Sequence, residues 1–173
     1  MRVYFNKRRG SPISNMSPHP VQAWGRTFRT AEHAYQFRKC VRLGYTRLAE
    51  QVLRADTPMK AKRIGARVPQ AAKRRWREGS RALKCMLTVL VNKYNQVPLF
   101  RYILQANPTA HFLEETRDTW WGIGGQEQEL NNVSLQRLPG KNWLGKLVML
   151  VARYKSGIRL PELLDLWTYD EQH

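Results

Sequence analysis

The chain has 173 residues, of which 42% are hydrophobic, and its six Trp, seven Tyr and five Phe exclude a disordered chain. No apolar run reaches about eighteen residues and the N-terminus lacks the apolar core of a signal peptide, so we expect no membrane span. The 30 Lys and Arg residues against 13 Asp and Glu give a net charge of +17, which predicts a phosphate-rich partner or, as a plainer interpretation, a device for solubility.

The two cysteines, Cys40 and Cys85, lie far apart in the chain and have no paired spacing. Thiols stay reduced inside cells, so this usage predicts a soluble intracellular protein, cytoplasmic or nuclear, without a disulfide. We expect neither a metal nor another cofactor, and we expect a monomer.

The basic charge is concentrated in the N-terminal part of the chain. Residues 1–105 carry 23 basic and 4 acidic side chains, whereas residues 106–173 carry 7 basic and 9 acidic ones. We therefore expect a phosphate-rich partner to bind the N-terminal part.

The first thirty residues predict short extended segments. Residues 3–5 form a short strand, and residues 21–28 form a small hairpin that turns at Trp24-Gly25. The Pro- and Ser-rich residues 11–20 between them exclude a long helix.

A helix follows, and the rest of the chain is interpreted around it. It begins after Thr30, whose hydroxyl is a good N-cap, and ends before Gly44, which suits the left-handed C′ position. On a 3.6-residue period one face carries four polar groups, namely Glu32, Tyr35, Gln36 and Lys39. This face is either solvated, with a charge pair across it, or part of a site, and the spacing alone leaves both open.

Four further helices are predicted in the middle of the chain. The first three cover residues 46–55, residues 57–65 and the longest stretch, from 69 to about 94. The apolar stripe of the longest helix consists of Trp76, Leu83, Met86, Leu87, Leu90 and Tyr94, and its opposite face holds Lys73, Arg74, Arg75, Arg77, Arg81 and Lys84. The fourth begins at Pro98, with an inward face predicted at Leu99, Tyr102, Ile103 and Ala106.

After Pro108 the chain becomes less regular. Residues 111–116 are predicted to be extended, and residues 117–125 form a loop with two adjacent Trp and three Gly. Residues 126–139 are polar and irregular.

The C-terminal end predicts two helices. A strong helix runs from Asn142 as N-cap to Gly157, and a weaker amphipathic helix covers residues 161–167. The predicted fold is therefore mainly α, a single compact domain over residues 1–157 with one or two short β elements. Residues 158–173 form a tail helix that packs on this domain or extends from it.

A series of short motifs along the chain carries a family resemblance. In order, they are Tyr4-Phe5 and Ser14-Asn15; Phe28 before Thr30, Glu32, His33, Gln36 and Lys39; Pro58, Ala61 and Gly65; Trp76; Glu114 or Glu115, Thr116, Asp118, Trp121, Gly122 and Gly124; and Gly140, Asn142, Leu144, Gly145, Met149 and Arg153. Over roughly residues 4–155 the chain resembles the NADAR, or YbiA-like, family. It departs from the family pattern at Ile123, where some relatives carry Asp, and in a longer connection at residues 126–139.

The resemblance implies N-glycosidase chemistry. Similar proteins hydrolyse the bond between a ribose anomeric carbon and an exocyclic nitrogen, either in ribosylamino-pyrimidine phosphates of riboflavin synthesis or in ADP-ribosylated guanine of nucleic acids. Such a sugar can open to an imine, onto which a lysine can exchange as a Schiff base. The amine must be neutral, and Arg38 and Arg42 are candidates to lower its pKa.

The resemblance also implies roles for individual residues. Lys39 is the predicted nucleophile, Glu32 the general acid/base, and Asp118 a second carboxylate that orients a ribose hydroxyl or water, or only caps its loop. The predicted substrate-binding residues are Asn15, Phe28, Tyr35, Gln36, Trp121, Gly122, Gly124 and Asn142. His33 lies off the polar face and is expected to be structural.

The charge distinguishes between possible substrates. One small ribotide needs only a few cations, whereas contact with a polynucleotide explains the basic N-terminal part, with Arg74, Arg75 and Arg77 as candidate contacts. The leading hypothesis is removal of ADP-ribose from guanine in DNA or RNA. The alternatives are an N-glycosidase of riboflavin intermediates and a non-catalytic nucleic-acid-binding module.

Overall fold

A computed structural model describes residues 1–6 and 10–153 of the chain. Within these ranges it contains four strands and eight α-helices: β1 Arg2–Phe5, β2 Val21–Ala23, β3 Arg26–Phe28, α1 Ala31–Arg42, α2 Thr46–Arg54, α3 Pro58–Gly65, α4 Gln70–Arg77, α5 Arg81–Gln96, α6 Pro98–Ala106, β4 His111–Glu114, α7 Glu127–Leu130 and α8 Trp143–Ala152. The predicted mainly α fold with short β elements is confirmed. The predicted end of the domain at 157 and the tail helix lie outside the described residues.

The strands form two small sheets. β2 and β3 are the predicted antiparallel hairpin, and Trp24 and Gly25 at its turn have φ of 51° and 72°. β1 pairs in parallel with β4, so that Phe5 lies opposite Glu114. This pairing joins distant parts of the sequence and places the segment after β4 beside the helices.

α1 begins and ends where the sequence predicts. Thr30 Oγ1 accepts a hydrogen bond from the His33 backbone N–H, and Gly44 follows the helix with φ of +83°. The His33 ring lies between Thr30 Oγ1, 2.8 Å from Nδ1, and the Ala55 carbonyl, 3.1 Å from Nε2. Burial lowers the pKa of His33, so a neutral imidazole with its proton on Nε2 ties α1 to the end of α2. His33 is therefore structural, as predicted.

The predicted long helix over residues 69–94 is wrong in one respect, because it is two helices. A 3₁₀ turn at Glu78–Ser80 separates α4 from α5, and Gly79 and Ser80 have φ of 57° and 60°. Glycine adopts this conformation without steric cost. The predicted apolar stripe is nevertheless buried along both helices, which explains why periodicity did not reveal the break.

The predicted inward face of α6 is wrong. Leu99 and Tyr102 are 49% and 69% exposed, whereas Phe100 and Leu104 are fully buried. Apolar residues occupy two faces of this helix, so its periodicity does not decide which face meets the core.

α8 lies against β4 and α5. Asn142 precedes it with φ of 51°, and its side chain makes no capping bond to the helix. Instead Asn142 Oδ1 accepts from the Glu114 N–H at 3.1 Å, and Nδ2 donates to the Phe112 carbonyl at 2.9 Å. The Asn142 side chain therefore does not cap α8 as predicted, but joins the start of α8 to β4 by two hydrogen bonds.

No helix in the described part of the chain is both long and apolar enough to cross a membrane.

Candidate functional site

A pocket of about 460 Å³ lies between α1, α3, α4 and the segment that follows β4. Its lining contains four carboxylates and four cations. The carboxylates are Glu32, Glu114, Glu115 and Asp118, and the cations are Lys39, Lys62, Lys73 and Arg77. The pocket is thus an ionic site within the size range of small-molecule sites.

Most of the predicted site residues meet in this pocket. Those that line it are Glu32, Lys39, Asp118, Asn15, Tyr35, Gln36, Trp121 and Arg77. Those that do not line it are Phe28, Gly122, Gly124, Asn142, Arg74 and Arg75. The polar face of α1 is the wall that supplies four of the lining residues.

That polar face is buried, so the solvated-face alternative is wrong. Glu32 and Lys39 are each 7% exposed, and Tyr35 and Gln36 are similarly buried. Charged side chains are rarely buried to this extent unless they are paired or functional.

Lys39 is held in an environment that disfavours its positive charge. Burial lowers the pKa of its amine, Glu32 and Cys40 act in the opposite direction, and Lys73 and Arg77 lower it further. The cationic neighbours that lower the pKa of Lys39 are therefore two residues of α4, not the predicted Arg38 and Arg42. Arg38 instead lies over the Trp24 ring at 4.9 Å.

Glu32 is positioned by Gln36, one helical turn later. Gln36 Nε2 donates to Glu32 Oε1 at 2.7 Å, and Gly65 of α3 lies against the Gln36 side chain. A methyl group at Gly65 would lie 2.0 Å from Gln36 Oε1, so α3 approaches this closely only because the residue is glycine. The Glu32 backbone N–H donates to the Asn15 carbonyl at 2.9 Å, which joins the 11–17 segment to α1.

Three aromatic rings form one side of the pocket. Tyr35 Oη accepts from Trp76 Nε1 at 2.8 Å, and the Tyr35 ring meets Trp121 edge to face, with centroids 5.4 Å apart. Burial raises the pKa of Tyr35 well above its usual value, so the phenol stays neutral. Tyr35 therefore orients the two indoles, of which the half-buried Trp121 offers the more accessible surface.

Asp118 combines two roles. Its Oδ1 accepts from the backbone N–H groups of Trp120 and Trp121 at 2.8 and 3.0 Å, which is the loop cap considered from the sequence. It also lines the pocket, so it positions Trp121 there.

Several residues predicted to bind substrate lie outside the pocket and pack against other residues of the chain instead. Phe28 is buried against Trp24 and Phe37. The Gly122 carbonyl accepts from the Asn142 N–H at 3.0 Å, and Gly124, with φ of +80°, lies against Gly140. These glycines allow the loop to fold tightly beside α8.

Lys93 holds residues 13–17, which precede the hairpin, in place through hydrogen bonds. This fully buried amine donates to the Ser14 carbonyl at 2.8 Å, to Ser17 Oγ at 3.2 Å and to the Ile13 carbonyl at 3.3 Å. Burial lowers the pKa of Lys93 to about 7. Nothing in the local sequence of Lys93 distinguishes it from a solvated lysine, so its structural role cannot be predicted from the sequence.

Four charged lining residues were not predicted as site residues: Glu114, Glu115, Lys62 and Lys73. The Leu-x-Glu-x-Thr motif contains Glu114 or Glu115, and alternation along the strand did not decide between them because Phe112 and Leu113 are both buried. Burial raises the pKa of Glu114 to about 8, with Glu32 and Glu115 adding to the shift and Lys62 and Lys93 opposing it.

Among the described residues no cluster of three or more His, Cys, Asp or Glu side chains could hold a metal ion. The two cysteines are free and buried. Burial raises the pKa of Cys85 to about 12, which keeps this thiol neutral.

Comparison with known proteins identifies the family. The NADAR domain profile matches residues 4–154. N-glycosidase YbiA of Escherichia coli is 30% identical over 138 residues, covering 79% of this chain and 76% of that protein, and N-glycosidase YbiA of Shigella sonnei matches with the same identity and coverage. The NMR structure of E. coli YbiA is 27% identical, with a TM-score of 0.65, and the match covers 100% of this chain and 90% of that one.

The relatives named as N-glycosidases support a general N-glycosidase activity. Because the profile spans nearly the whole described structure, the chain belongs to the NADAR domain family.

Proposed function

We propose that this protein is an N-glycosidase that removes ADP-ribose from guanine bases of DNA or RNA, with Lys39 as its nucleophile. The observation that carries the proposal is the buried Lys39 amine, with its lowered pKa, beside Glu32 in one pocket. A neutral amine can attack the anomeric carbon of ribose, whereas an ammonium ion cannot.

The reaction follows from the chemistry of a ribose on an exocyclic amine. The bond between the anomeric carbon and the ring oxygen breaks, the ring oxygen takes up a proton, and the exocyclic nitrogen supplies the electron pair of a C=N bond. The Lys39 amine adds to that carbon, and departure of the base amine leaves a Schiff base on Lys39. Water then adds and releases the sugar. We assign the proton exchange with Lys39 during these steps to Glu32, which lines the same pocket.

The other cations of the pocket suit the phosphates of this substrate. Lys62, Lys73 and Arg77 line it without a carboxylate partner at salt-bridge distance among the described residues. ADP-ribose carries two phosphates, and a single arginine guanidinium can bind two phosphate oxygens at once. The half-buried Trp121 is available to stack on a base.

The exposed basic surface supports a nucleic-acid substrate over a free nucleotide. Arg74 and Arg75 are exposed on α4, the helix that also contributes Arg77 to the pocket. Contacts from such residues to strand phosphates release counterions, so the affinity for a strand should fall as salt rises.

The second candidate substrate is a ribosylamino-pyrimidine phosphate. The specific observation in its favour is that three cations in a pocket of about 460 Å³ are sufficient for a single phosphate. The non-catalytic alternative is disfavoured because Glu32, Gln36, Lys39 and Asp118 all meet in one pocket.

The test is mass-resolved release of ADP-ribose from a single-stranded oligonucleotide that carries one ADP-ribosylated guanine. We expect release by the wild type and loss of release in Glu32→Ala and Lys39→Ala. Lys60→Ala, which removes an exposed lysine of α3 paired with Asp56, is the control and should retain release. Borohydride should trap a covalent adduct with the wild type and not with Lys39→Ala.

Other outcomes distinguish the alternatives. Cleavage of the free pyrimidine ribotide together with no release from the oligonucleotide would replace the proposed substrate by the second candidate. Equal trapping by the wild type and Lys39→Ala would assign the nucleophile to another residue.

A further inference from the structure

The four carboxylates of the pocket differ in their hydrogen bonds. Glu32 accepts from Gln36, Asp118 accepts from two backbone N–H groups, and Glu115 accepts from Asn6 Nδ2 at 2.6 Å and from the Glu127 N–H at 2.9 Å. All three are thus already used as acceptors. In each of them at least one oxygen already accepts a hydrogen bond from an N–H group, so that oxygen serves as an acceptor rather than as a proton donor.

Glu114 is the exception. Its Oε2 is buried and has no hydrogen-bond partner within residues 1–6 and 10–153, although the side chain lines the pocket. Its backbone is clamped on both sides, with the N–H donating to Asn142 Oδ1 at 3.1 Å and the carbonyl accepting from the Ile123 N–H at 3.0 Å. The backbone of Glu114 is therefore held in place, with its side chain at the pocket wall.

Burial, more than the surrounding charges, favours a neutral carboxylic acid at Glu114. Its pKa is raised to about 8, mainly by burial; Lys62 and Lys93 oppose the shift, whereas Glu32 and Glu115 add to it. At neutral pH the group is therefore mostly protonated, and its Oε2 has no hydrogen-bond partner within residues 1–6 and 10–153. Carboxyl groups whose environments separate their pKa values commonly divide into the acid and the base of a site.

We infer that Glu114 is the general acid that protonates the leaving nitrogen, while Glu32 is the base that takes the proton from Lys39. This inference rests on the proposed function and assigns to two residues the acid and base roles expected of Glu32 alone.

The proton and electron balance of the step is complete. As the bond between the anomeric carbon and the base nitrogen breaks, its electron pair goes to that nitrogen, which takes the Glu114 proton. The lone pair of Lys39 Nζ forms the C=N bond of the Schiff base. Water then adds to that carbon and gives a proton back to Glu114. The bond between that carbon and Lys39 Nζ breaks as the nitrogen takes back the proton held by Glu32, which releases the sugar and restores Lys39, Glu32 and Glu114 for the next turnover.

The test compares Glu114→Gln with Glu115→Gln, a neighbouring substitution of the same size and charge. We expect Glu114→Gln to lower kcat on the ADP-ribosyl-guanine oligonucleotide by about 10²–10⁴-fold, the usual contribution of a positioned acid. The wild type should lose activity as pH rises through about 8, because the acid deprotonates, and Glu114→Gln should lack this alkaline limb. Glu115→Gln should retain the limb.

A leaving-group comparison needs no variant and therefore does not depend on the folding of Glu114→Gln. When ADP-ribose is attached to para-nitroaniline, the departing nitrogen needs little protonation, because the nitro group stabilises the electron pair left on it. When ADP-ribose is attached to aniline, the departing nitrogen must be protonated by an acid. The wild type should show the alkaline limb with aniline and little or none with para-nitroaniline. Thermal unfolding of each variant separates a catalytic loss from a loss of structure.

Each outcome is decisive. An alkaline limb of equal size for both leaving groups, or wild-type kcat and pH dependence in a folded Glu114→Gln, would refute the assignment and leave the proposed function standing. Absence of cleavage of every substrate by the folded wild type would refute the proposed function, and this inference with it.

Discussion

The contact between Gly65 and Gln36 supports a prediction in which one methyl group, outside the reacting atoms, alters the catalytic carboxylate. In Gly65→Ala the new Cβ would lie 2.0 Å from Gln36 Oε1, 2.8 Å from Cδ and 3.2 Å from Cβ. The end of the side chain can rotate away, and that rotation breaks the 2.7 Å hydrogen bond to Glu32 Oε1. The substitution therefore acts on Glu32 through Gln36.

The size of the effect follows from the bond that is lost. A hydrogen bond to a charged group contributes about 1.5–3 kcal/mol, so its loss in the positioned state lowers kcat by roughly 10- to 100-fold. Overpacking costs about 1–3 kcal/mol, and the better helix propensity of Ala returns up to about 1 kcal/mol, so a net destabilisation of about 1–2 kcal/mol is expected.

The assay is a double-mutant cycle of Gly65→Ala and Gln36→Ala, with kcat for ADP-ribose release and the free energy of unfolding measured for all four proteins. Removal of the Gln36 side chain makes room for the methyl group, so Gly65→Ala should have little further effect on kcat in that background. Wild-type kcat in Gly65→Ala, or an equal loss in both backgrounds, would refute the proposed route through Gln36.

Three further predictions concern stability, aromatic packing and charge. Because the pKa of Glu114 is raised from 4.5 to about 8 on folding, its contribution to stability is lost as pH rises through that interval; urea unfolding should show this loss in the wild type and less of it in Glu114→Gln, and parallel curves would contradict it. Trp76→Phe removes the donor to Tyr35 Oη and should destabilise the protein by about 1–3 kcal/mol in thermal unfolding; an unchanged midpoint would show that the bond is dispensable. Reversing the charge at Arg74 and Arg75 together should weaken binding to a single strand and flatten its dependence on salt in a titration, while cleavage of the free pyrimidine ribotide, if present, stays constant; an unchanged salt slope would remove both residues from the interface.

Local rules were sufficient where a residue acts on its own segment. Thr30 accepts from the first turn of α1, as its position in the sequence predicts, and Thr57 does the same for α3. The hairpin turns at Trp24-Gly25 because that pair has neighbours of strand character on both sides. These features depend on contacts three or four residues apart, which the sequence displays directly.

Local rules failed where a residue has two possible conformations or faces. Gly79 is compatible with a continuous helix and with the left-handed turn that divides α4 from α5. α6 has apolar residues on two faces, and only the neighbours of Phe100 and Leu104 decide which face is buried.

The buried charges belong to a third category, because their environments are made by distant segments. Lys93 resembles any lysine on an amphipathic helix until its amine meets carbonyl groups near residue 14. Glu114 and Glu115 differ in their hydrogen-bond partners. Glu115 accepts from Asn6, the residue that follows β1, whereas Glu114 Oε2 has no partner in the described part of the chain.

By itself, the sequence determined the family, the mainly α fold and the polar face of α1. Helix caps and the helical period depend on residues a few positions apart, and the order of the motifs can be read directly along the chain. Only the tertiary structure decided that this face is buried, that Lys73 and Arg77 are the cations near Lys39, and that Glu114 Oε2 is a buried carboxylate oxygen without a donor in the described part of the chain. The physical reason is that the pKa and hydrogen bonding of a side chain depend on solvent exclusion and on charges brought close by folding, and neither is encoded in the spacing of residues along the chain.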